Sequence, residues 1–167
     1  YLDLWQIHEV VYEDDPDRHF VPNGGAEALL EAKHQGKVRF IGFTGHKHPQ
    51  IHLKMLGHDF PFDACQMPLN VFDGTYRSFE REVLPILNQR GIAPLGMKSL
   101  SGNAEPIKQG IVTPEEAIRY VLSLPIVSLV SGIDSPQVLR QNLDIARRFR
   151  PMTVAEMDGL RTRVGRY

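Results

Sequence analysis

Short apolar stretches alternate with amphipathic ones along the chain, and turn residues punctuate them. Leu2-Asp3-Leu4-Trp5-Gln6-Ile7 reads as a buried strand, and Glu13-Asp14-Asp15-Pro16-Asp17 then marks an exposed loop. Asn23-Gly24-Gly25 precedes Ala26 to Lys33, a run of strong helix formers with leucines on one face, closed by Gly36. The alternation repeats, with Val38 to Thr44 as a strand, Pro49 to Leu56 as a helix opened by proline, and Phe62 to Leu69 as a strand. Tyr76 to Gln89 reads as an amphipathic helix that Pro85 bends or divides, and Ile92 to Leu100 as a strand. Pro114 to Leu124 is a helix capped by Thr113. Val127 to Ile133, almost wholly apolar, reads as a short buried strand. A helix from Ser135-Pro136 to about Phe149 and a last short helix from Met152-Thr153 follow, and the run Arg161-Thr162-Arg163 reads as a solvated tail.

Strands alternating with helices at this spacing imply an α/β fold with parallel pairing, either an open doubly wound sheet or a closed barrel. A closed parallel barrel has eight strands and the pattern supplies five. The chain also opens on Tyr1 and goes directly into a strand. Both features predict that the residues are the C-terminal part of a longer barrel domain, with no internal domain boundary. Such a part would expose the inner face of its sheet and two strand edges, and would self-associate or lose fixed packing.

Composition narrows the partners. The chain has 167 residues, 42% of them hydrophobic and 23% charged, with a formal net charge of −1. That balance fits a globular protein and gives no electrostatic reason to expect nucleic acid or an anionic membrane. No apolar run is long enough to cross a bilayer, and the single cysteine, Cys65, excludes an internal disulfide and predicts a cytoplasmic compartment. His46, His48 and His52 could ligate zinc. However, Pro49 opens a helix that puts His48 at the cap, off the face of His52, so solvated loop histidines and no metal are expected.

Several segments carry a family resemblance. Tyr1-Leu2-Asp3-Leu4-Trp5-Gln6-Ile7-His8 resembles the fourth barrel strand of aldo-keto reductases, which ends in a catalytic histidine, matched by His8. Gly36 to Gly45 is similar to their fifth strand, where a serine-asparagine pair holds the nicotinamide carboxamide; Thr44 keeps the hydroxyl and Gly45 loses the amide. Gln66-Met67-Pro68-Leu69-Asn70 resembles the sixth-strand segment whose glutamine, here Gln66, holds the same carboxamide. Gly91 to Leu100 resembles the seventh strand and its Ser-Pro-Leu turn, with Met97 in place of the stacking aromatic, Lys98 in place of the serine, and Leu100. Ser131-Gly132-Ile133-Asp134-Ser135, with Leu139, Gln141 and Asn142, resembles the eighth-strand phosphate loop and its helix. Val138 falls where a basic or amide residue often meets a 2′-phosphate.

The resemblance implies a (β/α)8 TIM barrel and an oxidoreductase that reduces an aldehyde or ketone with NADPH, NADH being possible. It assigns His8 a catalytic role. Thr44, Gly45, Gln66, Met97, Lys98, Leu100, Gly132, Asp134, Gln141 and Asn142 become cofactor-binding positions. By the same resemblance the tyrosine acid, lysine and aspartate of the family precede Tyr1, so this chain would be inactive alone. Blander readings stand beside these roles. His8 could be a core histidine satisfied by Glu9, Gln66 a strand amide, and Lys98 a rim lysine. Met97 could be core filling, and Gly132 with Ser135 an ordinary tight turn. A noncatalytic nucleotide-binding subunit and an unrelated phosphate-binding barrel are the competing functions. The oligomeric state is left open.

Overall fold

The computed structural model describes residues 1–74, 76–102 and 104–166. Its strands are β1 (Leu2–His8), β2 (Val38–Thr44), β3 (Ala64–Pro68), β4 (Ala93–Met97) and β5 (Ser128–Leu129), and they succeed one another in that order in a sheet. The pairs β1/β2, β2/β3 and β4/β5 are parallel. Helices α1 (Asp15–His19) and α2 (Gly25–His34) join β1 to β2, and α3 (Pro49–Gly57) joins β2 to β3. A 3-10 turn (Val71–Gly74), α4 (Phe79–Glu82) and α5 (Leu84–Arg90) precede β4. Helices α6 (Glu105–Lys108) and α7 (Pro114–Leu122) precede β5, and α8 (Pro136–Arg147) and α9 (Val154–Val164) follow it.

Two compact units interleave along the chain. The first is Tyr1–Met67 with Arg77–Pro94, the second Pro68–Tyr76 with Leu95–Tyr167. No linker composition marks their junctions, because each unit takes a segment from within the other.

In the first unit, strand parity sorts the side chains. Ile7, Phe43 and Cys65 stand side by side, with Ile41 and Met67 on the same face, and all five are buried. Helix α2 packs over β1 and β2, contributing Ala26, Leu29 and Ala32. Helix α3 turns Ile51, His52, Met55 and Leu56 inward. Asp63, just before β3, ties three elements together: its carboxylate accepts from the Lys33 ammonium at 2.6 Å and from the Ile41 N–H at 2.8 Å, and its carbonyl accepts from the Ala93 N–H. The opposite face carries Gln6 and His8 of β1, with Gly42 and Thr44 beside them on β2.

In the second unit, Leu95 and Gly96 of β4 pair with Ser128 and Leu129 of β5. Thr113 caps α7 in a complete capping box with Glu116, and Thr153 does the same for α9 with Glu156. Arg161 Nε donates to the hydroxyl of the fully buried Tyr120 at 2.8 Å, and Arg163 pairs with Glu116 at 2.6 Å, so α9 is clamped to α7.

Several sequence expectations need correction. The acidic segment 13–17 is not a loop throughout: Asp15 starts α1, its carboxylate accepting the N–H groups of Val11 and Tyr12. The helix expected over 76–89 starts only at Phe79; it is divided, as its proline foretold, at Val83, with Pro85 in the first turn of α5, where its missing N–H costs nothing. Val127 to Ile133 is not a buried strand. Only Ser128 and Leu129 pair, while Val127, Val130 and Ile133 are half or more exposed, because among the described residues β5 pairs only with β4. Leu2 to Ile7 is a strand but not a buried one, with Leu2 57% and Trp5 42% exposed. Arg161-Thr162-Arg163 belongs to a helix clamp rather than a solvated tail.

The apolar surface at β1 and β2 has a solution consequence. Tyr1, Leu2, Trp5 and Phe40 are all exposed, and β1 pairs with β2 alone among the described strands. An unpaired edge beside apolar side chains is a template for association. The 167-residue chain is therefore expected to self-associate as its concentration rises in sedimentation velocity. A concentration-independent monomer that unfolds cooperatively would refute this.

Candidate active site

Parallel pairing places His8, Thr44 and Gln66 at equivalent positions of three neighbouring strands: His8 is opposite Thr44, and Thr44 is opposite Gln66. All three lie at or near carboxyl ends, where open or closed parallel sheets assemble their sites. His8 is exposed, Gln66 half-buried and Thr44 buried. The chain turns sharply after His8. Glu9 adopts φ 118°, a region rare outside glycine, and its carboxylate meets His46 Nδ1 at 3.0 Å. The Val10 N–H donates to the Thr44 carbonyl at 2.9 Å, so the loops following β1 and β2 are fastened together directly beside the row.

Gly45 follows Thr44 into a confined space. A Cβ there would lie 2.3 Å from the Val10 carbonyl oxygen and 2.9 Å from His52 Cε1. The amide that the resemblance finds missing at this position thus has no room. His52 fills the region instead, fully buried between the rings of Phe43 and Phe79, whose centroids are 5.2 and 4.9 Å away. Burial pulls its pKa down to about 4. Neither ring nitrogen has a hydrogen-bonding partner of good geometry among the described residues, although the Gln66 main chain works against the shift by favouring the protonated form. His52 is accordingly no solvated loop histidine. His48 does cap α3, its Nδ1 accepting the Gln50 N–H at 3.1 Å.

A cavity of about 650 Å³ opens beside the same loops, with Tyr12, Lys47, His48 and Arg77 in its wall. The Lys47 ammonium stands 5.0 Å from the Tyr12 ring centroid. Two of its other charges are paired, Lys54 with Asp17 and Asp14 with Arg18.

The remaining sequence-derived positions belong to the second unit. Met97 ends β4 half-buried, and Lys98 beyond it is exposed in a left-handed conformation, φ 56°. Leu100 is half-buried. Gly132 and Asp134 are exposed on the loop between β5 and α8, and Ser135 closes that loop by accepting the Val138 N–H at 3.2 Å. Asn142 is nearly buried and donates to Ser131 Oγ at 3.0 Å and to the Gly132 carbonyl at 3.4 Å, which holds the loop to α8. Gln141 is exposed, with Nε2 donating to Asn142 Oδ1 at 3.4 Å.

Residues 1–106 match the model of the aldo/keto reductase family. The chain belongs to the aldo/keto reductase family. No curated protein sequence matches it. Its fold is that of aldo-keto reductases of solved structure, namely five parallel strands with helices, as in part of a (β/α)8 barrel. The holo form of aldo-keto reductase AKR11C1 from Bacillus halodurans superposes with a TM-score of 0.73 at 16% identity, over 98% of this chain and 61% of that one. The glycerol dehydrogenase AKR11B4 from Gluconobacter oxydans gives 0.70 at 19%, over 98% and 58%. A mutant of Gox0644 in complex with NADPH gives 0.64 at 18%, over 96% and 58%. The chain thus spans about three fifths of the length of these reductases.

Sequence reasoning missed two residues around the row, Gln6 and Gly42, and misplaced a third, His52. Gln6 lies two positions before His8 on one strand and shares its face by parity alone. Gly42 sits beside it on β2. His52 keeps the spacing of Ile51, Met55 and Leu56, the buried stripe of α3, so helical periodicity marks it as inward.

Proposed function

We propose that this chain is the C-terminal part of a nicotinamide-dependent reductase of aldehydes or ketones. The in-register row of His8, Thr44 and Gln66 is the observation that carries the reading. Thr44 and Gln66 offer a hydroxyl and an amide on adjacent strand ends, a donor and acceptor set that matches a carboxamide with one carbonyl and one amino group. Gly45 lends that end of the site only its main chain. Met97, Lys98 and Leu100 would meet the nicotinamide and pyrophosphate. Gly132 and Asp134 on their loop, with Gln141 and Asn142 on α8, would meet the adenosine half.

The nicotinamide, when bound, supplies the hydride. His8 donates a hydrogen bond to the carbonyl oxygen of the substrate, orienting it and offsetting the charge that gathers there as the bond is reduced. Protonation of that oxygen needs an acid. The family's tyrosine, lysine and aspartate have no matching motifs in residues 1–167, so turnover requires groups beyond those residues. NADPH is favoured as cofactor, with NADH open because Val138 offers a 2′-phosphate no charge. The reaction belongs in the cytoplasm.

Titrating NADPH fluorescence against the chain tests this. Saturable binding without aldehyde-dependent oxidation of the nucleotide is expected. Gln66→Ala should weaken binding about tenfold, the worth of one hydrogen bond of about 1.4 kcal/mol. A chain that ignores NADPH and NADH alike would sink the proposal.

A further inference from the structure

Gln6 and Gln66 are not neighbours in the sheet. Strand β2 runs between β1 and β3, and the residue that β2 sets beside Gln6 is Gly42, itself opposite Ala64. With no side chain on Gly42, the Gln6 amide crosses the strand, and its Nε2 donates to Gln66 Oε1 at 3.0 Å. Gly42 is fixed independently, because a Cβ there would lie 2.4 Å from the Ala64 carbonyl oxygen. The crossing path is therefore built into the backbone. Gln6 Oε1 is buried without a partner among the described residues, so this side chain bears the desolvation of one amide end while its other end holds Gln66. A side chain serving stability alone would be better replaced by an apolar one of the same length.

We propose that Gln6 is a positioning residue for Gln66. The bond spans β2 at Gly42 and fixes which end of the Gln66 amide turns toward β1 and which turns away, toward the place of the nicotinamide carboxamide. Its consequence for nucleotide binding rests on the function proposed above; its effect on the Gln66 amide does not. Gln6→Met removes the donor at nearly constant length. Gln6→Glu replaces it by a group that only accepts at neutral pH, so Gln66 must rotate its amide by half a turn to satisfy it.

The test uses the 167-residue chain with two readouts. In the free chain, the side-chain amide proton and nitrogen resonances of Gln66 should shift in both variants, with the melting temperature of Gln6→Met equal to or above the parent's. In NADPH titrations each variant should bind about tenfold more weakly, and Gln6→Met should cost nothing further in a Gln66→Ala background. Unmoved Gln66 resonances would overturn the proposal, as would additive losses in the double variant. If the parent binds no nucleotide, the reductase reading fails, and the amide resonances still decide the role of Gln6.

Discussion

Gly45→Asn is expected to destabilise the protein by about 3 kcal/mol, the upper range for overpacking a close-packed site. It restores the amide that the family carries at this position, and intuition from motifs would predict improved cofactor binding. The structure argues the reverse. Any Cβ at residue 45 would lie 2.3 Å from the Val10 carbonyl and 2.9 Å from His52 Cε1. The first is main chain, held by the neighbouring Val10 N–H bond to Thr44, and the second is a ring packed between Phe43 and Phe79. Neither can withdraw without opening the row of strand ends. For a protein of this size the loss amounts to a fall in melting temperature of roughly 6–12 °C. Gly45→Ala should share most of it, which isolates the Cβ from the amide. Melting within about 2 °C of the parent would show that the loops after β1 and β2 yield.

The second large effect is a loss of stability in mild acid that originates at His52. Its folded pKa of about 4 lies below the ordinary value of 6.5. Between those limits the unfolded chain binds more protons than the folded one, so stability rises with pH across the window. The contribution is complete above pH 6.5, falls as the pH drops, and is gone by about pH 4. It amounts to about 3 kcal/mol, since each unit of displacement is worth 1.36 kcal/mol. Desolvation is the main cause, and the neighbouring His46 adds to it. Two other carboxyls are displaced from their ordinary values, Asp73 upward by burial and Glu116 downward by its hydrogen bonds from Thr113 and Arg163. They are common to parent and variant. His52→Met should therefore unfold in urea much as the parent does at pH 7 yet keep about 2–3 kcal/mol more of that stability at pH 4. Parallel losses in the two proteins would remove His52 from the account.

Signals confined to a few consecutive residues were the readable ones. Thr113, Ser135 and Pro49 announced helix starts because a cap or a proline acts on the N–H groups of its own first turn. The order of motifs along the chain likewise carried the family, because each sits at one strand end. What failed depended on distant partners. Val127 to Ile133 has the composition of a buried strand, and nothing local tells whether sheets lie on both sides of it. Arg161 and Arg163 look like surface charge until α9 is seen against Tyr120 and Glu116. Gln6 passed unnoticed because its partner is 60 residues away and the route runs over a glycine.

The exposed edge of the sheet also carries an optical signal. Trp5 is the only tryptophan of the chain, stands on β1 beside Gln6, and is 42% exposed. Its emission should be red-shifted in the chain by itself and move to the blue when another strand covers that edge. The protein thus reports, without any label, whether the sheet has been extended on the β1 side, next to His8.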